Sequence, residues 1–505
     1  MESRVADTAA CLTWRVARAN APRMFDLRPV GYVLGLLVAS IGVTMVIPLF
    51  VDLSQGNGHW AAFAEAASLT IFIGGALTLA CANAVREGLS IQQTFLLTTG
   101  VWLVLPVFAA LPFILGATEA RFVDAFFEAM SGLTTTGATV FSGLESLPDG
   151  LNLWRGMIQW FGGIGIIVVA MVFLPELRVG GMQIFRSEAF DTMGKILPRA
   201  TEIASRIWVI YLGLTGLCAL VYLLLGMPFF DAVMHALTTL STGGFSTSDA
   251  SFGAYQGPLE YAAAVFMILA SLPFVRYIQL VAGTAKPLFR DTQIQAYLAI
   301  ILALTALFTL YRLFANGDQL EHGFREGIFN VTSIISGTGY ASVDYQLWGP
   351  LPVVLFFFIG LIGGCAGSTS CSIKVFRYQL LIASIATQVR RLYAPHGIFE
   401  PRYDGRPVAE DVLSSVMAFF VLFFVTLGVT AVLLGMTGLD FITSVSGAAS
   451  ALANIGPGLG EIIGPAGNYA SLNDTAKWIL SFAMLIGRLE LMAVFVLFTV
   501  TFWRA

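Results

Sequence analysis

Long uncharged stretches, separated by short segments that carry the charges, are the dominant pattern of the chain. Eight candidate spans contain between 20 and 31 uncharged residues between their flanking charges. A helix needs about 20 apolar residues to cross the hydrocarbon core of a bilayer. Two further spans are interrupted by charges, one at Arg276 and the last, after Lys477, at Arg488 and Glu490. The pattern predicts an all-α polytopic membrane protein with ten spans.

The composition agrees with this prediction and excludes other classes of protein. Charged residues make up 11% of the chain and hydrophobic residues 57%, whereas a soluble protein carries about 25% charged residues. A net charge of −4 without a basic run argues against nucleic-acid binding. The five cysteines form no CxxC pair, and the chain has no GxSxG, P-loop or HExxH motif. We therefore expect no enzyme and no bound metal other than a transported ion.

The distribution of basic residues predicts the orientation of the chain. The first 28 residues hold five arginines and no short apolar core, which is typical of a cytoplasmic tail rather than a removed signal peptide. If the N-terminus is cytoplasmic and ten spans alternate, 21 of the 27 basic residues face the cytoplasm, as the positive-inside rule demands. Both termini are then cytoplasmic. By the same count 17 of the 31 acidic residues lie on the outer side, where they would concentrate cations.

Four segments on the predicted outer side resemble one another. Each has a short apolar stretch, then small hydroxyl or amide residues, then glycine; they cover residues 122–140, 229–247, 324–342 and 440–458. Aligned without gaps, Gly137, Gly244, Gly339 and Gly456 coincide at separations of 107, 95 and 117 residues. Each segment sits between two spans. The chain therefore repeats a span, half-helix, glycine turn and span four times, after two extra spans.

The stretch before each glycine is too short to cross a bilayer and suits a re-entrant half-helix of roughly ten residues. Non-helical backbone at membrane depth persists only where protein buries it or where it lines an aqueous path. We therefore expect the four glycine turns to close a ring around one pore, so that a single chain mimics a tetramer. The alternative is that small and hydroxyl residues here only serve loops or helix packing.

The chemistry of the four glycine turns suits a weakly hydrated monovalent cation. Rings of backbone carbonyls can replace the water shell of K⁺, whereas Ca²⁺ or Mg²⁺ would require carboxylates. The turns contain no acidic residue, and half-helices that enter from outside point their partially negative ends at the axis. Our candidate K⁺-binding residues are Thr135, Thr136, Gly137, Thr242, Gly243, Gly244, Gly337, Thr338, Gly339, Asn454, Ile455 and Gly456.

The spans and repeats divide the chain into five parts. A tail and two extra spans occupy residues 1–87, and the first pore unit with a cytoplasmic connector occupies residues 88–205. The remaining pore units are 206–290, 291–410, which includes a cytoplasmic loop, and 411–505.

Several motifs resemble those of the membrane subunit of bacterial Trk-type potassium uptake systems, in the Trk/Ktr/HKT superfamily. They lie at residues 131–148, 159–188, 362–377, 454–460 and 487–492, with STGGFST and SGTGYAS between them. The resemblance implies K⁺ uptake across the bacterial inner membrane by a homodimer in which each subunit has its own pore. It also implies a cytosolic regulatory subunit that binds NAD or ATP. Glycine in all four turns, without serine at Gly137, resembles the potassium-selective pattern.

The eighth span contains a second candidate site, a gate. Glycine costs about 1 kcal/mol in a helix interior, so its run of small residues predicts an unwound segment; a close helix-packing face is the alternative. The resemblance implies an intramembrane loop that blocks the pore, although Cys371 and Ser372 stand where the family usually has two glycines. The candidate gate residues are Gly363, Gly364, Gly367, Ser368, Thr369, Ser370 and Arg488.

Arg488 is a functional candidate because a charge inside a span is costly. A structural pair with Glu490 or a snorkelling side chain is the alternative, but residues two apart do not share a helix face. The rival to a gated pore is a secondary cation transporter coupled to H⁺ or Na⁺, which would place more ionisable residues at mid-membrane. Residues 176–206 and 390–411, the latter with a hairpin turn at Tyr403 to Arg406, are candidate docking surfaces for the regulatory subunit.

Overall fold

A computed structural model describes residues 26–84, 89–169 and 200–504, which are predominantly α-helical. The N-terminal tail up to residue 25 and most of the candidate docking segment 176–206 lie outside these ranges. The predicted all-α architecture is confirmed.

The leading helices pack closely along small residues. A Cβ atom added at Gly74 would overlap the backbone of Ala39, and one at Gly35 would lie 2.7 Å from the backbone nitrogen of Thr78, so the first two hydrophobic segments approach at backbone distance. Ser90 and Gln93 form a capping box where the next long helix begins. The helices are α1 (Arg28–Thr44), α2 (Val46–Gln55), α3 (Trp60–Cys81), α4 (Ile91–Ala109) and α5 (Leu111–Leu115).

In the first two repeats a helix, a half-helix, a turn and a further helix follow one another in the predicted order, although the helix after the second turn has only 13 residues. Short 3₁₀ turns at Leu144–Ser146 and Ser251–Ala254 come after their glycine turns. The helices are α6 (Phe122–Leu133), α7 (Asp149–Val168), α8 (Ala200–Leu224), α9 (Phe229–Leu240), α10 (Pro258–Ala270), α11 (Phe274–Val281) and α12 (Lys286–Arg290).

The third and fourth repeats have the same order. Asp291 and Asp440 cap the helices that follow them by accepting backbone hydrogen bonds. The elements are α13 (Thr292–Tyr311), α14 (Leu320–Ser336), α15 (Pro350–Gly360), α16 (Val375–Tyr393), β1 (Arg402–Tyr403), β2 (Arg406–Pro407), α17 (Glu410–Met436), α18 (Phe441–Ala453), α19 (Asp474–Arg488), α20 (Met492–Phe495) and α21 (Val500–Arg504), with a π-helical turn at Arg312–Asn316 and 3₁₀ turns at Tyr345–Trp348 and Val496–Phe498.

The half-helices α6, α9, α14 and α18 have 12, 12, 17 and 13 residues. The expected length of roughly ten is close for three of them, and α14 is longer. β1 and β2 pair antiparallel around Asp404 and Gly405, which confirms the predicted hairpin turn.

Six helices among the described residues are long and apolar enough to cross a membrane. Two bent pairs raise the number to eight: α10 with α11, bent by 90°, and α19 with the segment Met492–Phe498, bent by 106°. Helix α7 and the pair α15 and α16, which flank a non-helical segment, do not meet the same test. Ten spans are consistent with this arrangement and stay a prediction.

Two hydrophobic clusters make up the core. One joins the leading helices to residues of the first and fourth repeats, for example Trp154 with Leu480. The other joins the second and third repeats, for example Phe252 with Phe329. Trp160 of the first repeat and Ile455 of the fourth also belong to this second cluster, so residues of all four repeats pack together and fix the half-helices relative to one another.

Candidate functional site

All four half-helices end in the same hydrogen-bonded turn. In the first repeat, the N–H of Thr135 donates to the carbonyl of Gly132, and the N–H of Thr136 donates to that of Ser131. The other three repeats form the same two bonds, from Thr242 and Gly243, from Gly337 and Thr338, and from Asn454 and Ile455. This is the Schellman motif, whose turning residue is left-handed. Local backbone geometry therefore supports the alignment of the four sequences.

Left-handed backbone recurs at two positions of every turn. At the first position Thr135, Thr242, Gly337 and Asn454 have φ of 52°, 51°, 76° and 52°. At the third position Gly137, Gly244, Gly339 and Gly456 have φ of 84°, 76°, 80° and 108°. Such angles are unfavourable for residues with a Cβ atom. Three of the four first-position residues nevertheless carry one, whereas glycine occupies the third position in all four turns.

The four glycine turns form a closed ring in chain order. A Cβ atom added to the third-position glycine of each turn would collide with a carbonyl oxygen of the second residue in the next turn: Gly137 meets Gly243, Gly244 meets Thr338, Gly339 meets Ile455 and Gly456 meets Thr136. The first turn follows the fourth in this sequence of contacts. The twelve candidate residues are therefore brought together, and backbone oxygens lie at each junction between turns.

The side chains of the glycine turns are buried and tie the ring to the segment beneath it. Asn454 donates from Nδ2 to the hydroxyl of Thr136 at 2.9 Å, which links the fourth turn to the first. The hydroxyl of Thr135 lies 3.8 Å from Sγ of Cys371. Cys371 also lies next to Gly337. The candidate gate segment thus contacts the ring at two of its turns.

The eighth hydrophobic segment is unwound between Gly360 and Val375, as predicted. We call residues 361–374 the intramembrane loop. It is held on one side by the break between α10 and α11, where Cys365 and Thr369 donate backbone hydrogen bonds to the carbonyls of Ser271 and Ala270. Gly363 and Gly364 permit close packing, because Cβ atoms there would collide with Cys371 and Ser271.

Ser372 anchors the other end of the intramembrane loop. Its N–H donates to the carbonyl of Ala453 at 3.1 Å, and its hydroxyl lies 2.9 Å from the carbonyl of Gly360 and 3.1 Å from that of Ala453. Its φ of 60° is left-handed. This conformation explains why glycine suits the position, and the two hydroxyl contacts stabilise serine there.

Arg488 connects the intramembrane loop to α7. It is the last residue of α19 and is buried. Nη1 donates to the carbonyl of Thr369 at 3.3 Å and to Sγ of Cys371, and Nη2 donates to the carbonyl of Gly162 at 3.0 Å. The contacts with loop atoms agree with the prediction from sequence. A pair with Glu490 is not formed, because Glu490 binds Arg377 instead.

A family model described as TrkH, cation transport protein, matches residues 59–503. The chain belongs to the TrkH family of cation transport proteins. It is 44% identical over 480 residues to the Trk system potassium uptake protein TrkI of Halomonas elongata, covering 94% of this chain and 97% of that protein. It is 36% identical over 484 residues to the Trk system potassium uptake protein TrkH of Escherichia coli K12, covering 94% and 99%.

The fold agrees with a solved structure of the same TrkH family. The crystal structure of the potassium transporter TrkH from Vibrio parahaemolyticus superposes with a TM-score of 0.86 at 32% identity, covering 95% of this chain and 100% of that chain. The predicted resemblance is confirmed, and these relatives are transport proteins rather than enzymes.

A cavity of about 190 Å³ opens on the ring of this TrkH-family chain, on the predicted outer side, and all four third-position glycines line it. Asp249 lines the cavity and joins two loops together with Glu145: Glu145 accepts from the Ser248 hydroxyl at 2.6 Å, and Asp249 accepts from the N–H of Leu144 at 3.1 Å. The bond from Ser248 lowers the pKa of the Glu145 carboxyl below its usual value, so this carboxylate stays negative at neutral pH.

A buried ion pair lies behind the ring and is not among the residues predicted from the sequence. Counting charges placed Arg155 in an outer segment, but its side chain lies buried in α7, with Nε 2.8 Å from Oε1 of Glu128. It also donates to the carbonyl of Ser246 at 2.8 Å and lies over the ring of Phe245 at 4.3 Å. The half-helix α6 carries two acidic residues, Asp124 in its first turn and Glu128 in its middle, and the charge away from the helix start was the signal in the sequence for a buried partner.

Proposed function

We propose that this chain conducts K⁺ into the cell through the ring of four glycine turns. The observation that carries the proposal is the closed order of contacts in which each third-position glycine faces a carbonyl oxygen of the next turn. Carbonyl oxygens presented in this way can replace the hydration shell of K⁺. The names of the relatives, Trk system potassium uptake proteins, support the same substrate.

The charges around the ring favour a monovalent cation over a divalent one. No carboxylate belongs to the four turns, and the nearby Glu128 already binds Arg155. The C-terminal ends of α6, α9, α14 and α18 lead directly into the turns, so their partial negative charges lie beside the ring. This field attracts a cation without the carboxylates that would hold Ca²⁺ or Mg²⁺ tightly.

We assign the gate to the intramembrane loop and Arg488. The loop packs against the glycine turns through Cys371, and the Arg488 guanidinium binds the Thr369 carbonyl. A fixed positive charge there repels a passing cation. Movement of the loop away from the ring would open the path.

We further propose that the protein acts as a homodimer in the bacterial inner membrane, with both termini cytoplasmic. A cytosolic subunit that binds NAD or ATP would control it, and the hairpin segment 390–411 is a candidate docking surface. The word "system" in the names of the relatives supports a partner.

Uptake of Rb⁺ and Na⁺ by the purified protein in proteoliposomes tests the proposed function. We expect Rb⁺ to enter much faster than Na⁺, because the carbonyl ring suits the more weakly hydrated ion. Equal rates for the two ions would contradict a selective ring. A secondary transporter coupled to H⁺ or Na⁺ would instead show Rb⁺ uptake that depends on a gradient of the coupling ion. Measuring Rb⁺ flux as a function of membrane voltage alone, without a gradient of H⁺ or Na⁺, therefore separates the two mechanisms.

Ser372 gives a separate prediction for the gate. Ser372→Ala retains the left-handed strain but removes the hydroxyl contacts with Gly360 and Ala453. A hydrogen bond contributes about 1 kcal/mol, so we expect Rb⁺ leak to rise by about fivefold.

Ser372→Gly is the matched control for this experiment. It loses the same contacts but relieves backbone strain of about 1 kcal/mol, and the leak should stay near that of the native protein. Native leak in Ser372→Ala would show that the hydroxyl does not hold the loop. Equally raised leak in both variants would show that relief of the backbone strain does not compensate for the lost contacts.

A further inference from the structure

A polar residue recurs nine positions before the third-position glycine in three of the four repeats. These positions hold Glu128, His235 and Asn330, whereas the fourth repeat has Gly447. All three polar side chains are fully buried. Buried polar groups are costly unless they form hydrogen bonds, so the partners of these three side chains are informative.

In the first repeat Glu128 binds the extended segment that leaves the glycine turn. Its carboxylate accepts from the hydroxyl of Thr139 at 2.9 Å and from the N–H of Val140 at 2.9 Å. Thr139 and Val140 lie two and three residues after Gly137. Arg155 balances the charge and also donates to Thr139. The half-helix α6 thus binds the segment that follows its own glycine turn.

In the second repeat His235 makes the equivalent contact. Its Nδ1 lies 2.8 Å from the carbonyl of Asp231 and must donate to it, which leaves Nε2 of the neutral ring as an acceptor. Nε2 lies 3.0 Å from the hydroxyl of Ser246, two residues after Gly244. The Ser246 carbonyl also accepts from Arg155 at 2.8 Å. Ser246 therefore contacts both His235 of the second repeat and Arg155, the partner of Glu128 in the first repeat.

In the third repeat Asn330 binds Ser342, three residues after Gly339. The Nδ2 of Asn330 donates to the Ser342 hydroxyl at 3.0 Å, and the Ser342 N–H donates to Oδ1 at 3.3 Å. The fourth repeat has no side chain at Gly447. There the Tyr469 hydroxyl donates to the carbonyl of Gly456 at 2.7 Å instead.

We propose that Glu128, His235 and Asn330 are positioning residues that set the width of the carbonyl ring and hence the discrimination between K⁺ and Na⁺. The proposal rests on the proposed function, because it assigns to these residues the selectivity of that same ring. Each one fixes the segment after the third-position glycine to the half-helix before it. The turn between these two anchors cannot contract around a smaller ion without breaking a buried hydrogen bond, which is costly.

Asn330→Ala tests this role with the least change in charge and volume. It removes both bonds to Ser342 without leaving a buried ion unpaired. We expect the ratio of Rb⁺ to Na⁺ initial uptake rates in proteoliposomes to fall by about tenfold, the effect of losing a buried hydrogen-bonding partner. The matched control is Thr332→Val on the same half-helix, because the buried Thr332 hydroxyl has no hydrogen-bond partner among the described residues. We expect that control to keep the native ratio.

Ser342→Ala tests the same contact from its other end. It removes only the hydroxyl, while the Ser342 N–H still reaches Asn330, so we expect a smaller loss of selectivity. The double variant should match Asn330→Ala, because the two changes remove one shared interaction. If Asn330→Ala does not elute from gel filtration like the native protein, Ser342→Ala decides the question.

An unchanged uptake ratio in folded Asn330→Ala, or in Ser342→Ala when Asn330→Ala fails to fold, would overturn the proposal. Lower uptake of both ions at an unchanged ratio would also overturn it, since that is the result of a merely structural role. Measurement of the native protein in the same assay distinguishes failure of the proposed function from failure of the positioning role. If the native protein does not prefer Rb⁺, the proposed function fails; if it does and the variants do too, only the positioning role fails.

Discussion

Replacing Arg488 by alanine is expected to raise Rb⁺ flux through the reconstituted protein by roughly 30-fold. A cation that passes within about 8 Å of the guanidinium is repelled by about 2 kcal/mol at an effective dielectric constant of about 20, which corresponds to that factor in rate. The substitution also removes the hydrogen bonds to the carbonyls of Thr369 and Gly162, so the intramembrane loop loses its link to α7. Both effects act in the same direction.

Arg488→Lys separates these two effects. Lysine keeps the positive charge but lacks the planar fork that reaches Thr369, Cys371 and Gly162 together. If the charge dominates, flux stays near the native level; if the contacts dominate, it approaches that of Arg488→Ala. Flux of the alanine variant at or below the native level, in protein that elutes normally, would contradict a blocking role for Arg488.

The glycine turns could be predicted from sequence because their conformation restricts their composition. Left-handed backbone at Gly137, Gly244, Gly339 and Gly456 excludes most side chains, so the alignment of glycines carries structural information. The unwound intramembrane loop was predictable for a related reason, since Gly363, Gly364 and Gly367 disfavour a helix.

The partners of the buried charges could not be predicted in the same way. Counting residues between charges treats each charge as a boundary, whereas Arg155 lies inside the core because Glu128 neutralises it. Arg377 is likewise buried and binds Glu490, and the buried Lys374 donates to the carbonyl of Ser370. Such pairs depend on residues far apart in sequence, for example Arg377 and Glu490, and only the folded chain brings them together.

The break in the last span has a similar origin. The segment after Lys477 was predicted as one span, but α19 ends at Arg488, and Glu490 and Leu491 have φ of 61° and 35°. This turn lets Arg488 reach the loop while Glu490 faces Arg377. Residues two apart do not share a helix face, which correctly argued against a pair between Arg488 and Glu490. The actual partners of these two side chains are set by tertiary contacts.

The contacts of the intramembrane loop indicate how the proposed gate and the ring of glycine turns influence each other. Ser372 binds the carbonyl of Ala453, the last residue of α18, and Asn454 follows as the first position of the fourth glycine turn. Asn454 in turn donates to Thr136. A movement of the loop would therefore disturb the end of α18. Variants of the proposed gate should for this reason be assayed for selectivity as well as for flux.

Gly137→Ser is expected to lower the ratio of Rb⁺ to Na⁺ uptake rates by about tenfold or more. A serine at φ of 84° costs about 1–2 kcal/mol in backbone strain, and its Cβ atom would collide with the Gly243 carbonyl oxygen. The oxygen must move, and one quarter of the ring then loses the geometry that favours K⁺ over the smaller Na⁺.

Gly226→Ser is the matched control, because it imposes the strain without the collision. Gly226 has φ of 95°, and a Cβ atom added there would meet no atom within 4 Å. We expect this variant to lose stability in a thermal melt but to keep the native uptake ratio. If Gly137→Ser also keeps that ratio, the Gly243 oxygen does not contribute to selectivity, and the assignment of the first glycine turn to the ion path is wrong. If both variants lose it equally, backbone strain rather than the carbonyl ring is responsible.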